Sequence, residues 1–462
     1  MKNLPLKIYP VSLGCPKNRV DTERFLGSLG LEARLVKRVG SAGLVFVNTC
    51  GFIDSAVRES IRTILELGAE IQSLPAGKRP LLAVAGCLVG RYGEKQLAKD
   101  LPEVDLWLPT KTLASWPFIL RAFLEKKLKD CSGSAAAEKT AGNPARLSAH
   151  KGADRLLSTA PSYAWLKISE GCGRRCSFCV IPRIRGPLRS ELPEQITREA
   201  VKILERGVSE LVLIAQDLTA WGRDLPGAPS REHNLMRLLE RLFPLAGLKR
   251  LRLMYLYPAG LTGTLLKFLS EAPSVFVPYF DVPLQHADAG ILKAMGRPFA
   301  GSPFKVLERI RKYFLQAALR TSLITGFPGE SASAFAVLRQ FVTEAKFQNL
   351  GVFAFEPEEG SKAALMPGQV PERTRAERRD ILMQIQAGIS EALLLEQQGR
   401  ELEILIDRPS AEWPGLFVGR AWFQAPEVDG VTYVSGENVQ PGSLVKAVIN
   451  ETYTYDLNGL AV

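Results

Sequence analysis

Cysteines are the residues of this 462-residue chain best suited to chemistry, and six of the seven fall into two groups of three. A compact group lies in the string GCGRRCSFC: Cys172, Cys176 and Cys179. A dispersed group is spread over the first part of the chain: Cys15, Cys50 and Cys87. A cubic iron–sulfur cluster has four irons, each of which takes a further ligand, and cysteine thiolates commonly fill that role. Each group would therefore hold a cluster and leave one iron open to another molecule.

Other interpretations of these cysteines stay open at this point. The spacing C-x3-C-x2-C suits one cubic cluster, whereas a zinc site takes four ligands, and no fourth Cys or His follows in the neighbouring sequence. The dispersed cysteines could instead be ordinary buried residues, because free cysteine is among the most buried residue types. The seventh, Cys131, is predicted to be an incidental surface thiol, with a role as a cluster ligand or persulfide carrier as the alternative.

The dispersed cysteines share a position relative to the predicted secondary structure. Each follows a short apolar run, IYPVSL, GLVFVNT or RPLLAVAG, and a helical pattern comes after it. Alternation of this kind predicts a parallel sheet covered by helices on both faces over residues 1–125. Ligands of such sheets bind beyond the carboxyl ends of the strands. Three cysteines that are distant in sequence can therefore meet at one edge.

The rest of the chain divides by its composition and periodicity. Residues 126–160 are rich in Ala, Ser, Gly and Lys and are predicted to be a flexible linker. Residues 161–391 alternate again, with six strand candidates that fit an incomplete (β/α)6 barrel better than a closed eightfold one. Residues 392–462 contain short strand-like runs separated by turn residues, which predicts a small β-barrel. The predicted fold class is α/β with this barrel appended.

Composition indicates where such a protein works. No segment approaches the roughly 20 apolar residues of a membrane helix, so no membrane association is predicted. An odd number of unevenly spaced cysteines argues against a disulfide framework and fits a reducing compartment, so we expect a cytoplasmic protein. Nothing in the sequence requires more than a monomer.

The string GCGRRCSFC resembles the cluster motif of the radical S-adenosylmethionine superfamily. The resemblance implies that the open iron chelates S-adenosylmethionine and that one electron cleaves the sulfonium to a 5′-deoxyadenosyl radical. It further implies cofactor contacts at other strand ends: Glu170, Gln216 and Asp217 near the methionine end, and the glycines of TGFPGE, Gly326 and Gly329, near the adenine. As alternatives, GFPGE could be only a tight turn, and Gln216 and Asp217 could simply cap the next helix.

Some charged side chains have less specific roles. Five arginines are predicted near strand ends, where they could bind carboxylate or phosphate or be merely structural: Arg183, Arg185, Arg189, Arg252 and Arg297. His286 in DVPLQH is more typical of a structural histidine than of a catalytic one. Because the chain has only three histidines, histidine-based metal or triad chemistry is disfavoured.

The chain as a whole resembles the methylthiotransferases, through GCPKNRVDTE, VNTCGFIDSA and AGCLVGRY ahead of the radical motif. The resemblance covers an N-terminal cluster domain, a radical core and a terminal TRAM-like barrel. It implies two 4Fe-4S clusters, with Cys15, Cys50 and Cys87 holding the cluster that donates sulfur. It also implies a second S-adenosylmethionine as methyl donor and a separate electron donor.

Two branches of this family differ in substrate. One modifies an adenosine of transfer RNA, and the other modifies the β-carbon of an aspartate in small-subunit ribosomal protein number twelve. The strings GCPKN, NTCGFI, PLQHA, MGRP and GRAWFQAPEVDG resemble the second branch, whereas the first usually reads GCQMN. Two positions depart from its pattern: Glu191, where a basic residue is more usual, and Thr325, where valine is common. Both leave the fold and cluster binding intact, but the role of the loop around Arg189 stays open.

The distribution of charge gives an independent argument about the substrate. Residues 396–462 contain ten acidic and four basic residues, a balance of −6 in a chain of net charge +11, so the remainder carries +17. A module that grips RNA needs Lys and Arg, so this one favours a basic partner such as a ribosomal protein. An acidic surface could also serve only solubility, and the basic remainder could bind transfer RNA. A non-catalytic iron–sulfur protein that docks on the ribosome is the remaining alternative.

Overall fold

The computed structural model describes residues 5–30, 33–132, 155–226, 233–297 and 302–462, without the side chains of 128–132 and 233–234. These residues form two compact units. The first contains Met1–Ser158 and Val180–Gly186, and the second contains Thr159–Cys179 and Pro187–Val462. Within the described ranges, no helix has the length and apolar character needed to span a membrane.

The first unit is a parallel sheet with helices on both faces. Its strands are β1 (Leu6–Ser12), β2 (Ala33–Leu35), β3 (Leu44–Thr49), β4 (Leu81–Gly86) and β5 (Leu106–Pro109). Its helices are α1 (Pro16–Leu29), α2 (Asp54–Ser73), α3 (Cys87–Tyr92), α4 (Glu94–Asp100), α5 (Trp116–Ser132) and α6 (Ile181–Arg185). The strand order is β2-β1-β3-β4-β5, and every neighbouring pair is parallel.

The central strand β3 shows why this sheet needs cover on both sides, since all six of its residues are buried. Leu44 and Phe46 pack on one face with side chains of α1 and α5. Val45 and Val47 pack on the other face with side chains of α2, α3 and α4. A continuous apolar strand is therefore stabilised by burial on both faces, as the sequence predicts.

The predicted linker begins inside a helix. Because α5 continues to Ser132, the first residues of the 126–160 segment are helical. Residues 133–154 lie outside the described part of the chain, and so does the side chain of Cys131, so its predicted role stays a prediction. The end of the segment is anchored: Arg155 forms an ion pair with Glu23, and the Ser158 backbone N–H donates to Glu23 Oε1 at 2.7 Å.

The second unit combines an α/β core with a β-barrel. The core strands are β6 (Tyr163–Lys167), β7 (Ser169–Glu170), β8 (Arg189–Ser190), β9 (Glu210–Ile214), β10 (Arg250–Leu253), β11 (Phe276–Asp281), β12 (Ala318–Thr325) and β13 (Asn349–Ala354). The helices are α7 (Pro193–Leu204), α8 (His233–Leu242), α9 (Gly263–Ser270), α10 (Ala289–Ala294), α11 (Pro303–Tyr313), α12 (Ala332–Ala345) and α13 (Glu372–Leu395). The barrel strands are β14 (Glu401–Pro409), β15 (Leu416–Arg420), β16 (Thr432–Ser435), β17 (Leu444–Thr452) and β18 (Leu457–Ala461).

The core sheet is open, parallel and six-stranded, in the order β13-β12-β11-β10-β9-β6. These are the six strands that the sequence predicts. The terminal module is a closed barrel in the order β14-β15-β16-β18-β17. The predicted fold class is therefore confirmed, although the barrel has a fifth strand, β18, that the sequence pattern does not reveal. Helix α13 runs through residue 391 and leads directly into the barrel.

A network of buried charges joins the barrel to the amino ends of the core strands. Glu210, the first residue of β9, forms ion pairs with Arg252 at 2.7 Å and with Arg420 of the barrel at 2.6 Å. Arg420 also pairs with Asp407 at 2.8 Å. Arg250 donates to the backbone carbonyls of Arg420 and Glu403 at 3.0 and 2.9 Å. Each buried charge of the network therefore has a partner of opposite charge or a carbonyl that accepts its hydrogen bond, although Arg252 Nη2 makes no hydrogen bond.

A second set of polar contacts lies further along the same interface. Asp429 of the barrel accepts hydrogen bonds from Tyr279 at 2.6 Å and from Arg320 at 2.5 Å. Tyr163 on β6 donates to Glu427 of the barrel. The barrel is thus fixed to the core across several strands, at the sheet edge opposite the carboxyl ends.

The network controls the charge of its central acid. Burial alone would raise the pKa of Glu210, but the guanidinium groups of Arg420, Arg252 and Arg250 hold that pKa at about 2. A carboxyl group whose pKa is lower in the folded state than in the unfolded chain stabilises the fold above its unfolded pKa. This contribution is lost as the pH falls through the folded pKa.

We expect Glu210→Gln to lower stability at neutral pH by on the order of 3 kcal/mol, from the size of the pKa shift. The difference in melting temperature between wild type and variant should shrink as the pH falls from about 5 toward 2, because the unfolded chain then binds a proton at Glu210 that the folded protein binds only near pH 2. Thermal unfolding followed by circular dichroism at several pH values measures this. The exposed Glu205→Gln is the matched control and should follow the wild type. A gap for Glu210→Gln that does not depend on pH would contradict the assignment.

Candidate metal centres

The sheet of the first unit brings the dispersed cysteines to one edge. Cys15 follows β1, Cys50 follows β3, and Cys87 begins α3 directly after β4. These three strands are neighbours and parallel, with Ser12 opposite Asn48 and Thr49 opposite Gly86. Their carboxyl ends therefore lie side by side, as the sequence predicts.

The loops that carry these cysteines are in direct contact. A Cβ atom added to Gly14 would lie 2.8 Å from the Cys50 Cβ and 3.1 Å from its Sγ. A Cβ atom added to Gly51 would lie 2.7 Å from the backbone of Cys87. Gly14 also has a φ of +82°, which favours glycine. Side chains at these two positions would push the cysteines apart.

Asn18 links the three loops through hydrogen bonds. Its amide nitrogen donates to the carbonyls of Leu13 and Thr49 at 3.0 and 2.9 Å. Its amide oxygen accepts from the Cys87 thiol at 3.6 Å, and its backbone carbonyl accepts from Asn48 at 2.8 Å. Asn18 is fully buried. The string GCPKN drew attention to Asn18 in the sequence. The hydrogen bonds by which Asn18 joins the three loops depend on tertiary contacts, which the string does not show.

Burial disfavours ionisation of these thiols. Desolvation raises the pKa of Cys87 to about 12, and the charge of Arg185 acts against that rise. Desolvation also raises the pKa of Cys50, and the neighbouring Cys15 adds to it. Metals bind the deprotonated thiolate, so iron binding here must displace protons and supply the missing positive charge.

The compact group lies in the loop that follows β6 and β7. The loop begins at Gly171, which has a φ of +72°. The Arg174 backbone N–H donates to Cys172 Sγ at 3.4 Å, and the Cys179 N–H donates to the Cys176 carbonyl at 3.2 Å. Desolvation raises the pKa of Cys172, and Asp217 and Cys176 raise it further.

Contacts with other core elements hold this loop in place. Ser177 donates through its backbone N–H to the Met295 carbonyl at 3.1 Å and through its hydroxyl to the Ala294 carbonyl at 2.9 Å. Phe178 packs against an apolar cluster that includes Phe327 of TGFPGE. The cysteine loop and TGFPGE therefore share one hydrophobic cluster.

Each of the two groups offers three thiols, and cysteine thiolates are the usual ligands of iron–sulfur clusters. Among the residues that the structure describes, no group of three or more His, Cys, Asp or Glu side chains is arranged to hold one metal ion. The thiolates of a cubic cluster each bind a different iron, so they stand further apart than the ligands of a single ion. All six cysteines of the two groups are free thiols.

Two of the predicted cofactor residues, Glu170 and Gln216, are hydrogen-bonded to each other, and a third, Asp217, is hydrogen-bonded to Arg174 of the cysteine loop. Glu170 accepts from Lys167 at 2.8 Å, from the Gly171 N–H at 3.2 Å and from Gln216 at 3.1 Å. Gln216 Oε1 is buried and accepts no hydrogen bond. Asp217 accepts from Arg174 at 2.8 Å and from Thr219 at 2.7 Å.

The two glycines of TGFPGE have different surroundings. Gly326 has a φ of +72°, and a Cβ added to it would lie 2.0 Å from Cγ of Arg375. The space above Gly326 is thus already filled by helix α13. Gly329 has a φ of +85°, and a Cβ added there would meet nothing within 4 Å. Room for a ligand exists at Gly329. Thr325 also contacts α13, since its hydroxyl donates to the Arg375 carbonyl at 3.0 Å.

Several residues of this region were not predicted from the sequence. Lys167 is buried in β6 and forms an ion pair with Glu170. A lysine in an otherwise apolar strand could have indicated a buried ion pair from the sequence alone. The Arg174 guanidinium lies 3.9 Å from the centroid of the Tyr257 ring. Arg297, one of the five arginines that the sequence does predict near strand ends, lies 5.1 Å from the same ring and 5.5 Å from that of Phe178. These cation–π contacts surround the cysteine loop with positive charge.

The predicted arginines divide into different classes. Arg183 and Arg189 are exposed, whereas Arg185 is buried in the first unit. Arg252 has the structural role that the sequence left open: it lies within β10 and pairs with the buried Glu210 at the barrel interface. His286 is fully buried and bonds Glu330 at 3.0 Å, with its Nδ1 accepting from the Asp288 N–H at 2.9 Å. These contacts fit a structural histidine.

Comparison with known proteins places the chain in a family. Residues 7–109 match uncharacterized protein family UPF0004, residues 166–342 match the radical SAM superfamily, and residues 399–462 match the TRAM domain. A solved structure with a similar fold is the radical S-adenosylmethionine methyltransferase TsrM from Kitasatospora setae. Its TM-score is 0.53 at 13% identity, with 93% of this chain and 82% of that chain covered. At this identity the likeness concerns the fold alone.

Much more similar sequences carry the name ribosomal protein uS12 methylthiotransferase RimO. The protein of Nitratidesulfovibrio vulgaris strain Hildenborough is 55% identical, with 99% of this chain and 100% of the relative covered. That of Oleidesulfovibrio alaskensis is 52% identical, with coverages of 99% and 100%. That of Aquifex aeolicus is 42% identical, with coverages of 98% and 97%. The chain therefore belongs to the RimO family of radical SAM methylthiotransferases.

Proposed function

We propose that this chain inserts sulfur and a methyl group at the β-carbon of an aspartate in ribosomal protein uS12. The observation that carries the proposal is the pair of three-thiol groups, each at the carboxyl ends of a parallel sheet, in a member of the RimO family. The reaction needs radical chemistry because the β-carbon has no leaving group, so ionic nucleophilic chemistry has no point of attack.

We infer that the chain holds two 4Fe-4S clusters, one at each group. Cys172, Cys176 and Cys179 would hold the cluster that binds S-adenosylmethionine. Cys15, Cys50 and Cys87 would hold the other. When bound, these groups supply reductive cleavage of S-adenosylmethionine and the sulfur for insertion. The protein's own part is to position the thiols, through Asn18 in one unit and through Ser177 in the other.

The proposed contacts to S-adenosylmethionine follow from the hydrogen bonds beside the compact group. The buried Gln216 Oε1 has an open acceptor position, which suits the ammonium group of the methionine end. Glu170 holds Gln216 in that orientation through a hydrogen bond of 3.1 Å. Asp217 fixes Arg174 in the cysteine loop. The open space at Gly329 suits the adenine, with Gly326 providing the turn that α13 covers.

The acidic barrel supports a basic protein as the substrate. Asp407 and Asp429 are used inside the second unit, where they pair with Arg420 and Arg320. Other acidic residues of the module are exposed: Glu396, Glu401, Glu403, Glu412, Glu437 and Glu451. A surface of this sign repels RNA phosphates and attracts Lys- and Arg-rich proteins. Transfer RNA is the second candidate substrate, favoured by the balance of +17 outside the module.

We further propose that the protein acts as a cytoplasmic monomer and receives electrons from a separate donor. The free thiols of the six cysteines in the two groups support a reducing compartment.

The decisive experiment uses anaerobically reconstituted protein with S-adenosylmethionine and dithionite. Recombinant uS12 and transfer RNA are supplied in separate reactions, and mass spectrometry detects a methylthio group on each. Modification of the uS12 aspartate supports the proposal. Modification of transfer RNA alone would keep the chemistry and overturn the substrate.

We expect Cys50→Ala and Cys176→Ala to fail in different ways. Cys50→Ala should retain cleavage of S-adenosylmethionine to 5′-deoxyadenosine but lose methylthiolation by at least about 100-fold, since loss of even a residue that only supports a metal ligand commonly costs about 10- to 100-fold. Cys176→Ala should lose both activities. Chromatography of 5′-deoxyadenosine and mass spectrometry of uS12 separate the outcomes. Cys131→Ala is the control and should keep both. Loss of cleavage in Cys50→Ala would contradict the division of labour.

Neutralising exposed acids of the barrel should weaken recognition of uS12. We expect the triple variant Glu403→Gln, Glu412→Gln, Glu437→Gln to raise KM for uS12 roughly fivefold at low salt, at a few tenths of a kcal/mol per charge. The effect should fade at high salt because exposed charges are then screened. The matched control neutralises three exposed acids of the core, Glu205, Glu240 and Glu344. Equal effects of the two triple variants would show that the barrel has no special part in binding.

A further inference from the structure

Residues 180–186 follow Cys179 directly in the chain but pack with the first unit. Val180 and Ile184 are buried and form a small apolar cluster with Cys87 and Phe52. The Ile184 carbonyl accepts a hydrogen bond from the Thr110 hydroxyl at 2.7 Å. The short helix α6 is thus held against the dispersed cysteine group by apolar and polar contacts.

The last residue of α6 reaches a cysteine of that group. Arg185 Nε donates to Cys87 Sγ at 3.3 Å. Its Nη1 pairs with Asp21 Oδ2 at 3.1 Å, and its Nη2 donates to Asn18 Oδ1. The exposed fractions of Arg185, Asp21 and Cys87 are only 2%, 2% and 4%. A buried guanidinium in this position is a counter-charge aimed at a thiol.

The contact between Arg185 and Cys87 would affect the reduction potential of a cluster bound there. Its thiolate ligands are negative, and the desolvation that raises the pKa of Cys87 to about 12 also penalises their charge. Hydrogen bonds and positive charge at the ligand sulfurs favour the reduced state of iron–sulfur clusters, which raises their reduction potential. Asp21 partly offsets the charge of Arg185, so the two residues act in opposite directions.

We propose that Arg185 is a positioning residue for the cluster at Cys15, Cys50 and Cys87, and that its hydrogen bond to Cys87 raises the reduction potential of that cluster. The proposal rests on the proposed function, since it presumes a cluster at this group. It assigns to the segment after Cys179 a role in the chemistry of the other cysteine group. Arg183, on the same helix but exposed, has no such role.

The test uses the full chain with Cys172, Cys176 and Cys179 replaced by alanine, so that only the dispersed group can bind a cluster. The midpoint potential is measured by redox titration followed by electron paramagnetic resonance, with iron content determined in parallel. We expect Arg185→Met to shift the reduction equilibrium about tenfold toward the oxidised state, which is about 59 mV for one electron. Asp21→Asn should shift it in the opposite direction. Arg183→Met is the matched control and should leave it unchanged.

The outcomes separate this inference from the proposed function. If the parent variant binds no cluster, the two-cluster proposal fails and this inference fails with it. If the parent binds a cluster but Arg185→Met retains both iron and potential, only the role of Arg185 is overturned. Shifts of the same sign in Arg185→Met and Asp21→Asn would indicate a general structural disturbance and also overturn it. If Arg185→Met loses iron, two further variants decide. A raised potential in Asp21→Asn together with restored iron in Arg185→Lys supports the proposal. An unchanged potential in Asp21→Asn and lost iron in Arg185→Lys refute it.

Discussion

Both candidate metal centres depend on the parallel register of the strands that precede the cysteines. In the first unit, Thr49 at the end of β3 stands opposite Gly86 at the end of β4, so the residues that follow leave the sheet side by side. A shift of one residue would turn the ring of Phe46 in β3 away from Phe25 and Trp116, against which it packs. The register is set by the two-sided burial of strands such as β3. Packing of the core therefore decides where the thiols meet.

The same principle divides the second unit into two working ends. The carboxyl ends of its strands carry the cysteine loop, Gln216 and TGFPGE, whereas the amino ends carry the charges that bind the barrel. Strand β9 shows both ends: its first residue, Glu210, binds the barrel, and Asp217 lies just after its carboxyl end, beside the cysteine loop. The ion pairs with the barrel lie at the amino ends, so the described loops at the carboxyl ends are not used to hold it. The barrel therefore contacts the ends of the core strands that are opposite the ends with the cysteine loop.

The sequence was sufficient for the repeated features and insufficient for long-range pairings. The six core strands follow from apolar runs, and the cysteine groups follow from their positions after such runs. Strands β2, β5 and β18 were missed because β2 and β5 have only three and four residues and β18 contains Gly459 at its centre. The burial of Arg252 against Glu210, and that of Arg185 against Cys87, depends on tertiary contacts that no local pattern encodes. For the same reason, the sequence does not show that Arg375 fills the space above Gly326.

The central claim is that each group of three cysteines holds its own four-iron cluster. Mössbauer spectroscopy, with iron and sulfide analysis, should be applied to the reconstituted wild type and to two variants. One variant replaces Cys15, Cys50 and Cys87 by alanine, and the other replaces Cys172, Cys176 and Cys179. The account predicts about eight irons in the wild type and about four in each variant, with cubic-cluster spectra throughout. A wild type with about four irons, and one variant with none, would contradict it.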